Sequence, residues 1–183
     1  MQSRARLIVL SALILLVVAG SALSWAFENN IIEPSSKNQI EVSYTEGACE
    51  QNGVTLVVDF GDVANREPII RCASDFAGTG WEIFQATAVA VAGTNQYPVG
   101  FACRIEDFPT SAEQNCLDTP KYSEGSWGYF VFTKESGWQV SQVGSATRNP
   151  ECGSADGWLF IGPGQQDAGL LPNPIPEVIS CDG

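Results

Sequence analysis

Histidine is absent from this chain of 183 residues. Its absence removes the usual general base of serine and cysteine hydrolases and the commonest side-chain ligand of zinc. A C-x-x-C pair, the D-x-D-x-D-G spacing of a calcium loop and a glycine-rich phosphate loop are missing as well. We therefore expect no catalytic residue, no resident metal and no cofactor, and we predict that the protein is not an enzyme.

Basic residues are scarce, since 9 Lys+Arg stand against 21 Asp+Glu and the net charge is −12 at pH 7. Arg4 and Arg6 precede every acidic residue, so the chain beyond them is more acidic still. Negative charge of this size repels phosphate backbones and anionic membrane surfaces. The composition excludes a nucleic-acid partner, although acidity alone does not name a cationic one.

One long uncharged run, residues 7–27, follows the two arginines. It is long enough to cross a bilayer as a helix, which takes roughly 20 residues. Small residues between Ala19 and Ser24 would also suit a signal peptidase. Two alternatives remain for residues 1–27, a cleaved signal peptide or a single-pass membrane anchor. Both place the rest of the chain outside the cytoplasm.

The six cysteines all lie beyond this apolar run. An even number of cysteines in an exported chain predicts disulfide bonds, and many pairings are possible. Cys103 and Cys116 are the nearest in sequence, and we expect them to close one loop. The remaining candidates for disulfide formation are Cys49, Cys72, Cys152 and Cys181.

Strand patterns follow a polar linker at residues 28–39. Apolar and β-branched residues predict strands at 40–44, 54–60, 69–70, 99–105, 126–133, 138–143 and 158–161. The first two strands should pair as a hairpin with a long loop. Residues 80–92 show helical spacing, with Thr79 suited to cap the helix and Gly93 to end it.

This order of elements predicts an α+β fold, in which one helix packs across a mixed sheet. Two strands, a helix and two further strands are the order of the β-grasp fold. We expect a β-grasp-like domain over residues 40–162, stapled by disulfides and preceded by an N-terminal apolar helix. Residues 163–183 are rich in proline and glycine, and we expect this tail to wrap the surface, pinned by Cys181.

The stretch SWGYFVFTKESGW, residues 126–138, is apolar on both faces of an extended chain. Trp127 and Tyr129 lie on one side and Phe130 and Phe132 on the other, because side chains alternate along a strand. We expect Phe130 and Phe132 to pack against the helix. Trp127 and Tyr129 would then lie on an open face, which the tail, a partner or a ligand has to cover.

Several short patterns follow one another in residues 101–160, namely FACRI, NC, TP, WGYFVF, GW and DGWLF. In this order they resemble the C-terminal β-domain of the transcobalamin and intrinsic-factor type of cobalamin carrier. The likeness is greatest to the small secreted or anchored single-domain relatives found in actinobacteria, and it covers roughly residues 54–162. The matching positions are Phe101, Cys103, Arg104, Ile105, Cys116, Thr119, Pro120, Trp127, Tyr129, Phe130, Gly137, Trp138, Gly157, Trp158 and Phe160.

The chain also departs from that family. Phe130 stands where the relatives have a second tryptophan, and Lys121 stands where they have a second proline. Cys49, Cys152 and Cys181 are additional. The large helical domain of the animal carriers has no counterpart here, and in those carriers the ligand lies between two domains. The resemblance implies a ligand-binding domain that captures a corrinoid or another nutrient for a membrane transporter. Cobalamin would then be the ligand of the domain and not its cofactor.

Four aromatic residues are the candidate ligand-binding residues: Trp127, Tyr129, Trp138 and Trp158. Aromatic side chains suit a flat or apolar ligand. Cross-strand pairing would bring Trp127 and Trp138 together. Trp158 follows Asp156-Gly157, a turn signal, and would close the same surface. The alternative is that these rings are core packing or lie under the tail.

Two functions therefore remain open. The first is an extracytoplasmic small-ligand-binding module, and the second is a cell-surface interaction or structural module without a small ligand. A concave pocket with buried polar groups would favour the first function. A flat exposed apolar patch would favour the second.

Overall fold

The computed structural model describes residues 42–121, 123–165, 168–177 and 181. The predicted N-terminal segment 1–27, the linker 28–39 and most of the first predicted strand lie outside these residues. Within the described ranges, no helix has the length and apolarity that a membrane span requires.

The described residues form eight strands: β1 Tyr44–Glu46, β2 Gly53–Asp59, β3 Ile69–Ser74, β4 Val91–Gly93, β5 Ala102–Ile105, β6 Ser126–Thr133, β7 Gly137–Val140 and β8 Ala155–Ile161. Six of them make one mixed sheet in the order β1-β3-β2-β8-β6-β7. The neighbours β2 and β8 are parallel, and the other pairs in this sheet are antiparallel.

The two parallel strands lie at the centre of the sheet. β2 reads GVTLVVD and β8 reads ADGWLFI, and nearly every residue of both is buried. A strand that is covered on both faces reads as a continuous apolar run rather than an alternating one. The strand predicted at 158–161 is therefore longer than expected, and it is a central strand rather than an edge strand.

The helix predicted over 80–92 is wrong beyond one turn. The described residues contain one helix, α1, which spans Ile83–Ala86. Ala88 has a φ of 53°, and Val89 N donates a hydrogen bond to Phe84 O at 2.9 Å. This pattern closes a helix end, usually at a glycine. With so short a helix the fold is mostly β, not α+β.

Of the two residues predicted to cap the helix, Thr79 caps the turn that leads into α1, whereas Gly93 does not cap it. Thr79 N donates to Glu82 Oε2 at 2.8 Å, and Glu82 N donates to Thr79 Oγ1 at 3.3 Å. This reciprocal pair has the form of a capping box and lies in the turn just before α1. Gly93 ends no helix, because it belongs to β4.

β4 and β5 form a hairpin apart from the main sheet. The strand predicted at 99–105 begins only at Ala102, because Gly100 has a φ of 88° and lies in a turn. The described part of the first predicted hairpin pairs differently from the prediction. β1 pairs with β3, so β3 lies between β1 and β2 in the sheet.

The hairpin of β6 and β7 is confirmed, but its two faces are the reverse of those expected. Trp127 and Tyr129 pack in the cluster that contains Ile83 and Phe84 of α1. We call this side of the sheet the helix face. Phe130 and Phe132 lie on the opposite side with Trp138. Alternation defines two sets of side chains along a strand, but it does not say which set meets the helix.

That opposite side is covered in part by the C-terminal segment 168–177, which we call the strap, and we call the side itself the strap face. Leu170 packs against the strap-face cluster, and Pro172 is buried. Asn173 N donates to Asp59 Oδ2 at 2.8 Å, and the peptide bond between Asn173 and Pro174 is cis. The strap therefore covers part of the face of residues 126–138 that carries Phe130 and Phe132.

Three disulfides join all six cysteines. The predicted bond between Cys103 and Cys116 is confirmed. The other two bonds are Cys49–Cys72 and Cys152–Cys181, and the latter pins the tail as expected. Three disulfides and no free thiol indicate an oxidising, extracytoplasmic setting.

Two of these bonds meet at Gly53, the first residue of β2. Gly53 N donates to Cys152 Sγ at 3.2 Å. A Cβ built on Gly53 would lie 2.8 Å from Cys49 Sγ and 3.0 Å from Cys72 Sγ, closer than real side chains approach. The position therefore requires glycine, because its backbone runs between the two disulfides.

Candidate functional site

The four predicted ligand-binding aromatics do not share one surface. Trp127, Tyr129 and Trp158 lie on the helix face, whereas Trp138 lies on the strap face. The three indoles are at most 6% exposed, and Tyr129 is half-buried. The expected meeting of Trp127 with Trp138 is wrong, since β7 pairs Trp138 with Phe132 on the other side of the sheet.

Trp158 is the centre of an aromatic cluster on the helix face. Its ring centroid lies 4.8 Å from that of Tyr129, 5.4 Å from that of Phe84 and 6.3 Å from that of Trp81. Rings at these distances and tilts pack favourably beyond the area that they bury. In this arrangement the rings form core, so a role for them in binding a ligand stays a prediction.

Beside this cluster, the carboxyl group of Asp156 is buried with 0% exposure. Tyr129 Oη donates a hydrogen bond to Asp156 Oδ2. Arg148 Nη2 lies 3.2 Å from Asp156 Oδ1, and Arg148 Nε lies 3.3 Å from the same oxygen. The turn that the sequence predicts at Asp156-Gly157 is wrong, because both residues lie inside β8.

The pKa values of this network follow from its burial. Burial raises the pKa of Asp156 to about 6, although the charge of Arg148 and the hydrogen bond from Tyr129 oppose the shift. Burial and the neighbouring carboxylate raise the pKa of Tyr129 above its ordinary value. The phenol therefore stays protonated and donates, while the carboxyl group titrates in the mildly acidic range.

The network fastens the loop at 144–148 to the sheet and to the turn before α1. Gly80 N donates to Arg148 O at 2.8 Å, and Trp81 N donates to Ser145 O at 2.9 Å. A Cβ built on Gly80 would overlap Asp156 Oδ2 and the phenol oxygen bonded to it. With Asp156 buried in this way, the network joins β6, β8, the loop at 144–148 and the turn before α1.

The sequence analysis missed this network. The available signal was a single carboxylate in an otherwise apolar strand, ADGWLFI. A carboxylate at such a position has to be paired, because burying an unpaired charge is very unfavourable. Sequence alone does not show that Arg148 and Tyr129 are its partners.

Three buried donors in the described residues have no acceptor: the indole N–H groups of Trp127, Trp138 and Trp158. A buried donor without a partner is destabilising by about 1–3 kcal/mol. All three belong to the four aromatic residues predicted from the sequence as candidates for ligand binding.

On the strap face, Trp138 lies against backbone and proline. The position of its ring leaves no room for a Cβ at Gly157, and Pro172 Cγ lies 3.1 Å from where that Cβ would be. The ring of Phe132 packs against Trp138 at 5.2 Å between centroids. The indole is therefore held between the central strand β8 and the strap.

Two hollows open on the described surface. One, of about 340 Å³, is bordered by Glu46, Glu50 and Asn52, and the other, of about 290 Å³, by Asp59 and Arg66 among others. Both linings are mainly polar. Neither hollow includes a predicted ligand-binding aromatic, so neither resembles the apolar pocket that a flat nutrient would require.

Apolar side chains are exposed in the turn between β4 and β5 and just after Cys116. We call Tyr97, Val99 and Leu117, together with the half-buried Phe101, the hairpin patch. Tyr97 is 49% exposed, Val99 58% and Leu117 53%. The rings of Tyr97 and Phe101 lie 6.4 Å apart. Asn95 N donates to Cys116 O at 2.8 Å, which brings Leu117 beside this turn.

The backbone beneath the hairpin patch is firmly held. Arg104 Nε donates to Pro109 O at 2.6 Å, and Arg104 Nη2 donates to Gln114 O at 2.7 Å. Gln114 Nε2 donates to Gly125 O at 3.2 Å. Together with the Cys103–Cys116 bond, these contacts fix the loop that carries Leu117.

Among the described residues, no three Cys, Asp or Glu side chains lie close enough to hold a metal ion. Asp59 accepts backbone hydrogen bonds from Gly61 and Asn173. These bonds use both oxygens of Asp59 in fixing the end of β2 and the strap.

Comparison of the chain with protein-family models, with curated proteins and with solved structures finds no match. The resemblance to the cobalamin carriers therefore rests on the residues quoted above. The class that the structure defines is a disulfide-stapled, mostly-β domain with a mixed six-stranded sheet and a separate hairpin.

Proposed function

We propose that this chain is an exported protein-interaction module and that it docks a partner protein through the hairpin patch. The observation that carries the proposal is the exposure of Tyr97, Val99 and Leu117 while the sheet aromatics are buried. Exposed apolar side chains gathered in one place mark interaction sites on soluble domains.

The rigidity of the loop supports the same proposal. A surface that is already ordered before binding loses little conformational entropy when the partner arrives. The Cys103–Cys116 bond and the contacts of Arg104 supply that order. Tyr97 adds an aromatic ring with a polar tip, a side chain enriched at protein interfaces.

The cellular location of the chain is part of this proposal as well. We infer that residues 1–27 anchor the domain to the cell membrane or direct its secretion. The partner would then be another protein at the cell surface, a membrane transporter among the possibilities. Catalysis has no part in the proposal.

Site-specific photocrosslinking in the organism of origin tests the proposal. A benzoylphenylalanine at Val99 of the full chain should give a covalent adduct with one protein. The same probe at Glu135, an exposed residue of the β6–β7 turn, is the matched control. The double variant Val99→Asp with Leu117→Asp should abolish complex formation with the protein so identified. An absence of adducts at Val99, or equal adducts at both positions, would overturn the docking role.

A second candidate function is capture of a corrinoid or another small nutrient. It is supported by the three buried indole N–H groups without an acceptor. The order β3-β2-β8-β6-β7 supports it too, because a β-grasp sheet likewise places its first and last strands side by side and parallel at the centre. On this view the domain is β-grasp-like and related to the cobalamin carriers.

Titration of the oxidised full chain with cobalamin tests the second candidate. Saturable quenching of tryptophan fluorescence, weakened in Trp127→Phe or Trp158→Phe, would support it, because phenylalanine keeps a ring but removes the N–H donor. If a folded protein with all three disulfides intact does not bind cobalamin, cobalamin is ruled out as the ligand.

A further inference from the structure

Burial alternates along the strap from Leu170 to Glu177. Pro172 and Pro176 are buried, and Leu170 and Pro174 are half-buried. The residues between them are exposed: Leu171, Asn173, Ile175 and Glu177. All three prolines of the strap therefore belong to its less exposed set.

The strap is held mainly by packing. Proline has no backbone N–H, so a segment with proline at alternate positions is unable to complete a strand ladder. The bond from Asn173 N goes to the side chain of Asp59, not to a neighbouring strand. The attraction between strap and sheet thus depends on proline and leucine side chains against an aromatic surface.

That surface is shaped for proline rings. Trp138 and Phe132 line it, and Gly157 lets the indole lie close to the backbone of β8. Pro172 is the strap residue next to Trp138 and Gly157. Aromatic-lined grooves that take up proline rings are a recurring mode of peptide recognition, because a proline-rich segment has little entropy to lose.

We propose that the strap face is a binding groove for proline-rich protein segments and that the strap is its own ligand in cis. The partner in trans would carry an apolar residue followed by prolines at alternate positions, as Leu170, Pro172, Pro174 and Pro176 do. This proposal goes beyond docking through the hairpin patch and concerns a different face. An experiment can therefore refute one of the two proposals without refuting the other.

The Cys152–Cys181 bond strengthens the competition of the strap with such a partner, because it fixes the far end of a segment that the chain already joins to β8. A tethered ligand reaches an effective concentration on the order of millimolar, which a free peptide of modest affinity does not displace. Removing the tether and repelling the strap should therefore open the groove.

The test uses the full chain with Cys152→Ser and Cys181→Ser, called the untethered protein. Adding Pro172→Asp places a charge against the apolar face and should expel the strap. Adding Ile175→Asp instead places the same charge on an exposed position and should leave the strap in place. The probe is a fluorescent peptide of residues 168–177, followed by anisotropy, beside a control peptide in which alanine replaces all three prolines.

We expect the untethered Pro172→Asp protein to bind the proline peptide at least ~10-fold more tightly than the untethered Ile175→Asp protein. The alanine peptide should not bind measurably. Equal affinity for the two peptides would mean unspecific apolar contact and would overturn the proposal. So would the absence of binding to a Pro172→Asp protein that keeps Cys49–Cys72, Cys103–Cys116 and a cooperative unfolding transition.

Should the Pro172→Asp protein not fold, wild type with only Cys152 and Cys181 reduced and alkylated takes its place. Excess unlabelled proline peptide must then displace the strap and speed hydrogen exchange at the backbone N–H of Asn173 in the isotope-labelled protein, an effect that the alanine peptide should not have. No change at about 1 mM peptide, the effective concentration of the strap itself, would refute the groove.

Discussion

The carboxyl group of Asp156 links the stability of the domain to pH. Its pKa of about 6 in the folded chain lies above its ordinary value of 3.8, so the folded state binds the proton more tightly than the unfolded state. The stabilisation that results is complete below about pH 4 and is lost as the pH rises through about 6.

Asp156→Asn should remove this pH dependence. The difference in free energy of unfolding between wild type and the variant should then be about 2 kcal/mol more favourable to wild type near pH 4 than near pH 7.5. Denaturant unfolding at both pH values measures it. Asp118→Asn, on an exposed loop, is the control. Parallel pH profiles for wild type and Asp156→Asn would contradict the assignment.

A second prediction at the scale of one residue concerns Gly80. A methyl group there meets the phenol of Tyr129 and the carboxylate of Asp156, neither of which is free to move away. Gly80→Ala should destabilise the domain by about 2 kcal/mol, the usual size of overpacking. Gly144→Ala is the matched control, because a Cβ at Gly144 would meet open space. Equal urea midpoints for the two variants would disprove the close approach.

At the scale of elements, exposure should determine the order in which the disulfides are reduced. Cys152 is exposed, whereas Cys49, Cys72 and Cys103 are at most 4% exposed. An accessible disulfide reacts first with a thiol reductant. Brief treatment with a limiting dithiol, alkylation and mass spectrometry should therefore show Cys152 and Cys181 modified first. Modification of Cys49 or Cys72 before them would contradict the burial of that bond.

Some elements could be predicted from the sequence because a local signal sufficed. β2, β8 and the hairpin of β6 and β7 are apolar runs between turns, and each was found. The helix was overextended because Ala88 takes a left-handed conformation that is usual for glycine. The faces of β6 were reversed because the choice depends on pairing with β8, a contact made at long range.

The candidate site was less predictable than the fold. The nearness of Cys103 and Cys116 in sequence was enough to suggest their bond. Asp156, by contrast, looked like part of a turn, since an aspartate before a glycine usually is. Its partners Tyr129 and Arg148 come from other elements, and no spacing in the sequence brings them together.

At the scale of the whole molecule, a net charge of −12 at pH 7 opposes the compact state through self-repulsion. Raising the ionic strength from about 0.02 M to about 0.5 M at pH 7 should raise the melting temperature, because salt screens exposed charges. The same change near pH 4, where carboxylates are partly protonated, should have a smaller effect. A melting temperature that falls with salt at pH 7 would contradict this account.

The position of Gly53 between two disulfides also bears on the order in which these disulfides form. Cys181 follows every other cysteine along the chain, so during synthesis Cys152 waits for its partner while Cys49 and Cys72 already exist nearby. Only a glycine backbone then separates the waiting thiol from the completed bond. We therefore expect the Cys152–Cys181 bond, whose second cysteine is synthesised last, to form after the Cys49–Cys72 bond.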